Sequence, residues 1–205
     1  MTTRQTSVPN HHAHYPGFAG VTGFLAAASM VLGGKGDARL AERASDLVAS
    51  DTVADIGCGP GTAARHAARL VALVYGIDPA PVMLRLARLL TRRSNHSVRY
   101  VEGTAEALPL PGSSVSVAWS IASVHHWTDL DAGLQEARRV LKPGGRLVAI
   151  ERLTQPGATG LASHGWTAEQ ASAFADRCRA HGFIDTETDQ HGDRKTKVSV
   201  TAKAP

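Results

Sequence analysis

The chain is poor in aromatic residues: Trp, Tyr and Phe make up 5% of its 205 residues. A core built with so few rings must lean on Ala, Leu and Val. Only two cysteines are present, Cys58 and Cys178, and they stand far apart. No CxxC or zinc pattern exists, which removes a disulfide-stapled fold and points to a reducing, cytoplasmic setting. There is no dense stripe of one charge. The net charge is +4, and the one basic cluster (Arg194, Lys195, Lys197, Lys203) lies near the C-terminus and reads as solvated surface. No internal repeat is visible. The apolar stretch 17–33 carries four glycines and falls short of the roughly 20 residues that a membrane span needs. It reads as a buried or cleft-lining helix, with no membrane partner, and residues 1–10 read as a frayed tail.

What is present is an ordinary globular composition, 43% hydrophobic and 20% charged. The length allows one domain and no cap domain. From residue 37 onward, helical and strand periodicities alternate. Helices are expected over 37–49, 62–70, 80–92, 130–141 and 167–181. Strands are expected over 53–56, 72–77, 98–101, 114–124 and 146–150, followed by a closing hairpin over 183–188 and 195–202. Lys142-Pro143-Gly144-Gly145 stops the fourth of these helices, and Thr167 with Gln170 has capping-box spacing at the start of the last. This alternation predicts an α/β fold: a Rossmann-like, seven-stranded, mostly parallel sheet with helices on both faces and a C-terminal antiparallel hairpin. The chain divides into residues 1–49, a tail, a His-rich lid segment and leading helices, and residues 50–205, the core.

Ligands of such sheets bind beyond the carboxyl ends of the strands. After the first strand stands Asp55-Ile56-Gly57-Cys58-Gly59-Pro60-Gly61-Thr62. Its glycines permit positive φ and close backbone approach by a ligand. The spacing is G-x-G-x-G, whereas the dinucleotide fingerprint is G-x-G-x-x-G, and this argues against a pyrophosphate. Asp78 ends the second strand, where a carboxylate can accept both hydroxyls of a ribose. The segment after the third strand, including Thr104, Ala105 and Glu106, can present backbone groups to an adenine edge.

Taken in order, DIGCGPGT, GID, GTAEALPLP, SVHHW and LKPGGRLVAIE resemble the motifs of class I S-adenosylmethionine-dependent methyltransferases, type 11-like small-molecule enzymes in particular. The resemblance covers residues 50–151. It implies S-adenosyl-L-methionine as cofactor and S-adenosyl-L-homocysteine as product. It places Asp55, Gly57, Cys58, Gly59 and Gly61 at the amino-acid part of the cofactor, and Asp78 at the ribose. Pro79 or Met83 would pack near the adenine, Thr104, Ala105 and Glu106 would lie at its edge, and Ser120 and Ile121 would line the methionine portion. The chain departs from the family pattern at Thr104, often Asp there, and at Val115-Ser116, often Phe-Asp.

Methyl transfer from a sulfonium needs chiefly an aligned nucleophile and exclusion of water. A hydroxyl acceptor gains from a general base, and near pH 7 a histidine is the simplest one. His125 or His126 fills that role at the end of the fourth strand, with Glu151 at the adjoining lip. Glu151 can equally pair with Arg138, Arg139 or Arg152. The connection 157–165 reads as a flap that carries His164 and Trp166 to the acceptor, and Trp127 or Trp166 could pack on the apolar face of a sugar.

The segment His11-His12-x-His14-Tyr15 reads in three ways: an incidental tail, a lid bringing His11 or His12 into catalysis with His14 and Tyr15 on the acceptor, or a chelating group. A divalent metal is thus possible, yet no metal site is predicted. His66, His96, His181 and His191 are expected to be solvated. The functional expectation is O-methylation of a small polar acceptor such as a sugar by a monomer or homodimer. The competing readings are N- or C-methylation of a quinone- or lipid-type metabolite, a nucleic-acid methyltransferase and an NAD-dependent oxidoreductase. No nucleic-acid partner is expected, since the tetrad typical of base-amino enzymes is missing after the fourth strand.

Overall fold

The computed structural model describes residues 35–92, 97–192 and 196–205. The expected tail, the apolar stretch 17–33, the histidines of the N-terminal segment, Tyr15 and His96 lie outside these residues. The elements run α1 (Lys35–Ala44), β1 (Thr52–Ile56), α2 (Thr62–Ala67), β2 (Leu73–Asp78), α3 (Pro81–Thr91), β3 (Val98–Glu102) and β4 (Val115–Ile121). A 3₁₀ turn (Val124–His126) follows, then α4 (Leu130–Val140), β5 (Leu141–Arg152), a second 3₁₀ turn (Gly160–Ser163), α5 (Ala168–Ala180), β6 (Ile184–His191) and β7 (Lys197–Lys203).

The seven strands form one sheet in the order β3-β2-β1-β4-β5-β7-β6. The first five are mutually parallel, whereas β7 runs antiparallel to β5 and to β6. The order reverses between β1 and β4, which leaves a crevice at their carboxyl ends.

The central strands are apolar on both faces because helices cover both. Side chains alternate along a strand: Val53, Val117, Trp119, Val148 and Ile150 join one core cluster with α1 and α2. Their neighbours Ala54, Ala118, Leu147 and Ala149 join the other with α4 and α5. Small residues at the helix interface, Ala38, Ala41, Ala63, Ala64 and Ala67, are all buried, which lets α1 and α2 pack closely without aromatic bulk. The helix ends follow local chemistry. Pro81 opens α3, the Asp129 side chain accepts from the Ala132 amide at 3.0 Å, and the Thr167–Gln170 capping box is complete.

Several boundaries differ from expectation: the helix read over 37–49 ends at Ala44, that over 62–70 at Ala67, and the strand read over 114–124 ends at Ile121 before a 3₁₀ turn. The Lys142–Gly145 segment ends α4 but does not delay the strand, since β5 already begins at Leu141. The register jumps from Val115↔Leu141 to Val117↔Arg146, so the segment bulges out of the ladder. Gly144 takes φ +72° there.

Candidate active site

The turn after β1 is fastened to β2. Ile77 accepts from the amides of both Gly57 and Cys58, at 2.8 and 2.9 Å. Asp78 completes the hold: its Oδ2 accepts from the Gly59 amide at 2.8 Å and its Oδ1 from the Ala80 amide at 2.9 Å. Gly57 and Gly61 have φ of +73° and +74°, so an L side chain would be strained at either. A Cβ on Gly57 would also collide with the Ser123 side chain, and one on Gly61 with the Tyr100 ring. Packing against neighbouring loops and strands therefore demands these glycines, beyond the ligand approach expected from sequence.

Beside this turn lies a pocket of about 260 Å³, lined by residues of the turn, by Ile121 and Ala122 after β4, and by Asp37 and Lys197. It occupies the topological switch point. Asp55 projects into it at 2% exposure. Burial pushes the Asp55 carboxyl up to about 7, against the opposing Ala64 amide and with help from the charge of Asp78. Its Oδ2 has no hydrogen-bond partner among the described residues. A buried, unsatisfied carboxyl oxygen facing a crevice suits a cationic or hydrogen-bond-donating ligand. Asp78 is also raised, first by burial, with the Ala80 and Gly59 amides opposing. Burial likewise lifts the Cys58 thiol well above its usual range, so it stays a thiol in the wall of the pocket.

Sequence reasoning missed Asp37 and Lys197. The Lys197 ammonium donates to Asp37 Oδ2 at 2.8 Å, and the pair forms one side of the pocket. Lys197 had the signature of a solvated basic cluster, and Asp37 lies in a helix remote in sequence. Only the return of β7 beside β5 brings them together, and no local signal marked either.

A second group of polar side chains follows β4 along the chain. Ala122 takes φ +50°, a conformation uncommon for alanine, and its amide donates to Ile150 at 2.7 Å. The chain then turns into the 3₁₀ segment that bears His125 and His126. Glu151, next in β5, is 1% exposed. Its Oε2 lies 2.8 Å from His125 Nδ1, and its Oε1 accepts from the His125 amide at 3.4 Å. Of the expected alternatives, the histidine meets this carboxylate, and Arg139 pairs with Glu136 instead. The His125 and His126 rings are 4.1 Å apart between centroids, and His164 approaches them at 5.6 and 5.8 Å. The connection expected to be a flap is tied down near His164. The Trp166 amide donates to Arg152 at 2.9 Å, the Thr154 amide to Trp166 at 2.7 Å, and Arg152 Nη2 to Ala162 at 2.8 Å.

Several expectations need correction. Trp127 and Trp166 belong to the core, at 5% and 1% exposure, and Trp166 stacks on Phe174 at 4.8 Å. Neither ring offers a face to an acceptor. Glu106 Oε1 accepts from the amides of Thr128 and Asp129 at 2.6 and 3.2 Å, so its carboxylate ties the start of α4 to the β3 loop. Met83 and Ala105 are buried, and Pro79 and Thr104 are exposed. Ser120 is fully buried, with its Oγ lacking a partner among the described residues. His66 pairs with Glu42 at 2.7 Å, His181 with Asp131 at 2.9 Å and His191 with Ser199 at 2.7 Å, so these three are not merely solvated. His11, His12, His14 and Tyr15 fall outside the described residues.

A larger cavity, about 740 Å³, opens at the opposite edge of the sheet, among Ser113, Arg138, Arg139, Pro143, His181 and Pro205. Two of its polar groups are paired: Arg139 forms two bonds to Glu136, at 2.6 and 2.7 Å, and His181 meets Asp131 at 2.9 Å.

Residues 54–149 match the family described as “Methyltransferase domain”. The chain is 38% identical over 106 residues to the demethylmenaquinone methyltransferase of Tropheryma whipplei (strain Twist), covering 51% of this chain and 43% of that one. It is 35% identical over 129 residues to the 27-O-demethylrifamycin SV methyltransferase of Amycolatopsis mediterranei (strain S699), covering 60% and 47%. The chain thus spans less than half the length of these curated relatives. The solved SAM-dependent methyltransferase of Aquifex aeolicus shares the fold with a TM-score of 0.76 at 18% identity, covering 88% of this chain and 98% of that one.

Proposed function

We propose that this chain, whose residues 54–149 match the methyltransferase-domain family, is a class I S-adenosylmethionine-dependent enzyme that methylates a hydroxyl of a small molecule. The observation that carries the reading is the Asp55 carboxyl oxygen left without a partner in the switch-point pocket, beside the glycine turn that Asp78 holds. The donor set fits the cofactor. Asp55 and the Asp37–Lys197 pair offer both charge signs to a zwitterionic amino-acid end. Each Asp78 oxygen keeps a lone pair for a ribose hydroxyl beyond the amide it already serves. S-adenosylmethionine supplies an electrophilic methyl group when bound.

The residues of the chain then have to hold the acceptor and receive its proton. Glu151 accepts from Nδ1–H of His125, which favours the tautomer that carries its lone pair on Nε2, the atom read here as the base. As the acceptor oxygen attacks, its proton passes to Nε2, and the imidazolium is stabilised by the buried Glu151 carboxylate. Glu151 is a positioning residue in this scheme, because it meets the histidine and lies too deep to meet the acceptor. The rings of His126 and His164 lie beside that of His125, at 4.1 and 5.6 Å between centroids. Relatives named for rifamycin and demethylmenaquinone methylation support a small-molecule acceptor. A sugar loses its two proposed stacking faces, now that Trp127 and Trp166 are buried. Hydroxyl chemistry in general keeps its support from the His125–Glu151 pair.

The test is thermal protection by S-adenosylhomocysteine against NAD, followed by an acceptor screen with labelled cofactor. Stabilisation by S-adenosylhomocysteine alone is expected. Equal protection by NAD, or none by either, overturns the assignment.

A further inference from the structure

We infer that His125, His126 and His164 form a binding site for a single divalent transition-metal ion such as Zn²⁺ or Co²⁺. One nitrogen of each imidazole lies within 4.8 Å of the other two. Tetrahedral ligands at a Zn–N distance of about 2.0–2.1 Å stand about 3.3 Å from one another. The three nitrogens therefore need to close by no more than roughly 1.5 Å, which ring rotation about the side-chain bonds can supply.

Three features distinguish this group from a chance meeting of histidines. First, the rings come from separate segments brought together at some backbone cost. The 3₁₀ turn follows Ala122 at φ +50°, and His164 precedes Gly165 at φ +135°. A Cβ at Gly165 would collide with the Arg152 carbonyl, so only glycine lets this connection lie against the end of β5. Strain of this kind collects at functional sites. Second, Glu151 holds His125 by Nδ1 at 2.8 Å, the carboxylate–histidine arrangement that orients a metal ligand and raises its basicity. Third, all three ligands are neutral and nitrogenous, and all three residues are half-buried. That set selects Zn²⁺, Co²⁺, Ni²⁺ or Cu²⁺ over Mg²⁺ and Ca²⁺, which require oxygen ligands. Three protein ligands leave a tetrahedral ion one open position, and a hydroxyl oxygen bound there would be more acidic.

The ion would take the Nε2 lone pair that serves as base in the functional reading, so metal and base are alternative ways to activate one hydroxyl at the same lip. The inference extends that reading but is tested apart from it, since binding is measured without cofactor or acceptor.

The experiment is titration of the full, tag-free chain with Co²⁺, following the visible d–d bands, with Zn²⁺ competition and Mg²⁺ as control. One equivalent should bind with a tetrahedral spectrum, Zn²⁺ should displace it and Mg²⁺ should not. His126→Ala and His164→Ala should each weaken binding at least tenfold, and Glu151→Gln by about tenfold. The triple variant His11→Ala, His12→Ala, His14→Ala should bind as the parent does. Absence of a stoichiometric site, binding that survives both single histidine substitutions, or loss in the N-terminal triple variant overturns the inference. A chain that binds S-adenosylhomocysteine but not Co²⁺ loses this inference alone.

Discussion

Asp51 precedes β1 and Asp55 lies near its carboxyl end, and the two meet opposite environments. Asp51, at the amino edge of the sheet, accepts from Ser116 Oγ and from Arg146 Nη2, both at 2.6 Å. Burial alone would raise it, but Ser116, the Val48 amide and Arg146 outweigh burial and leave its carboxyl below the ordinary value. Asp55, at the carboxyl edge, forms no ion pair among the described residues, and no cation lowers its carboxyl. Burial and Asp78 lift it to about 7, and one oxygen stays unsatisfied among the described residues. The same residue type thus stabilises the fold at one edge and remains ready for a ligand at the other. The larger cavity lies on the satisfied edge and the smaller one on the unsatisfied edge. Unmet polar groups, and not volume, mark the site.

This contrast can be broken by substitution. The largest effect is expected at Asp78, which fastens the glycine turn and in the proposed function holds the ribose of the cofactor. Asp78→Ala should weaken S-adenosylhomocysteine binding more than 100-fold by calorimetry while the chain still melts cooperatively, and retained micromolar affinity would sink the assignment. Next comes Glu151→Gln. It should lower kcat about 10- to 100-fold, with cofactor affinity unchanged within twofold. A matching fall in both would make Glu151 a general structural support.

Asp55 gives a smaller, pH-dependent signal. Its folded-state value is raised, so its contribution to stability is full below about pH 4 and is lost as pH rises to about 7. The ligand-free chain should therefore lose that stability over this window in urea melts, and Asp55→Asn should flatten the dependence. Binding of a cationic ligand favours the ionised carboxyl, so cofactor affinity should climb between pH 5.5 and 7 in the parent and not in Asp55→Asn. At the amino edge the sign reverses. The lowered Asp51 contributes stability above about pH 4 and loses it in acid. Arg146→Ala should cost about 1–3 kcal/mol by leaving Asp51 less satisfied, with kcat/KM within twofold. A large loss of activity there would erase the distinction between the edges.

The glycine turn, Asp78 and the order of helices and strands are legible in the sequence, because each rests on local chemistry: turn glycines, period-two and period-3.6 patterns, and caps. The Thr167–Gln170 box is a clear instance. The roles of Trp127, Trp166 and Glu106 were not legible. A tryptophan after a strand reads alike whether it faces a cleft or the core, and Glu106 reaches Thr128 and Asp129 only through the folded β3 loop. Ser116, a departure from the family pattern, turned out to hold Asp51 across the sheet edge.

The sequence by itself determined the fold class, the seven-stranded alternation and the place of the glycine turn and Asp78, because these follow from short-range patterning that the chain carries in order. Tertiary structure alone decided the partner of Glu151, the meeting of His125, His126 and His164, and the place of Lys197 beside Asp37. These contacts join residues separated by whole elements. Their geometry depends on strand register and loop anchoring, which no local pattern encodes.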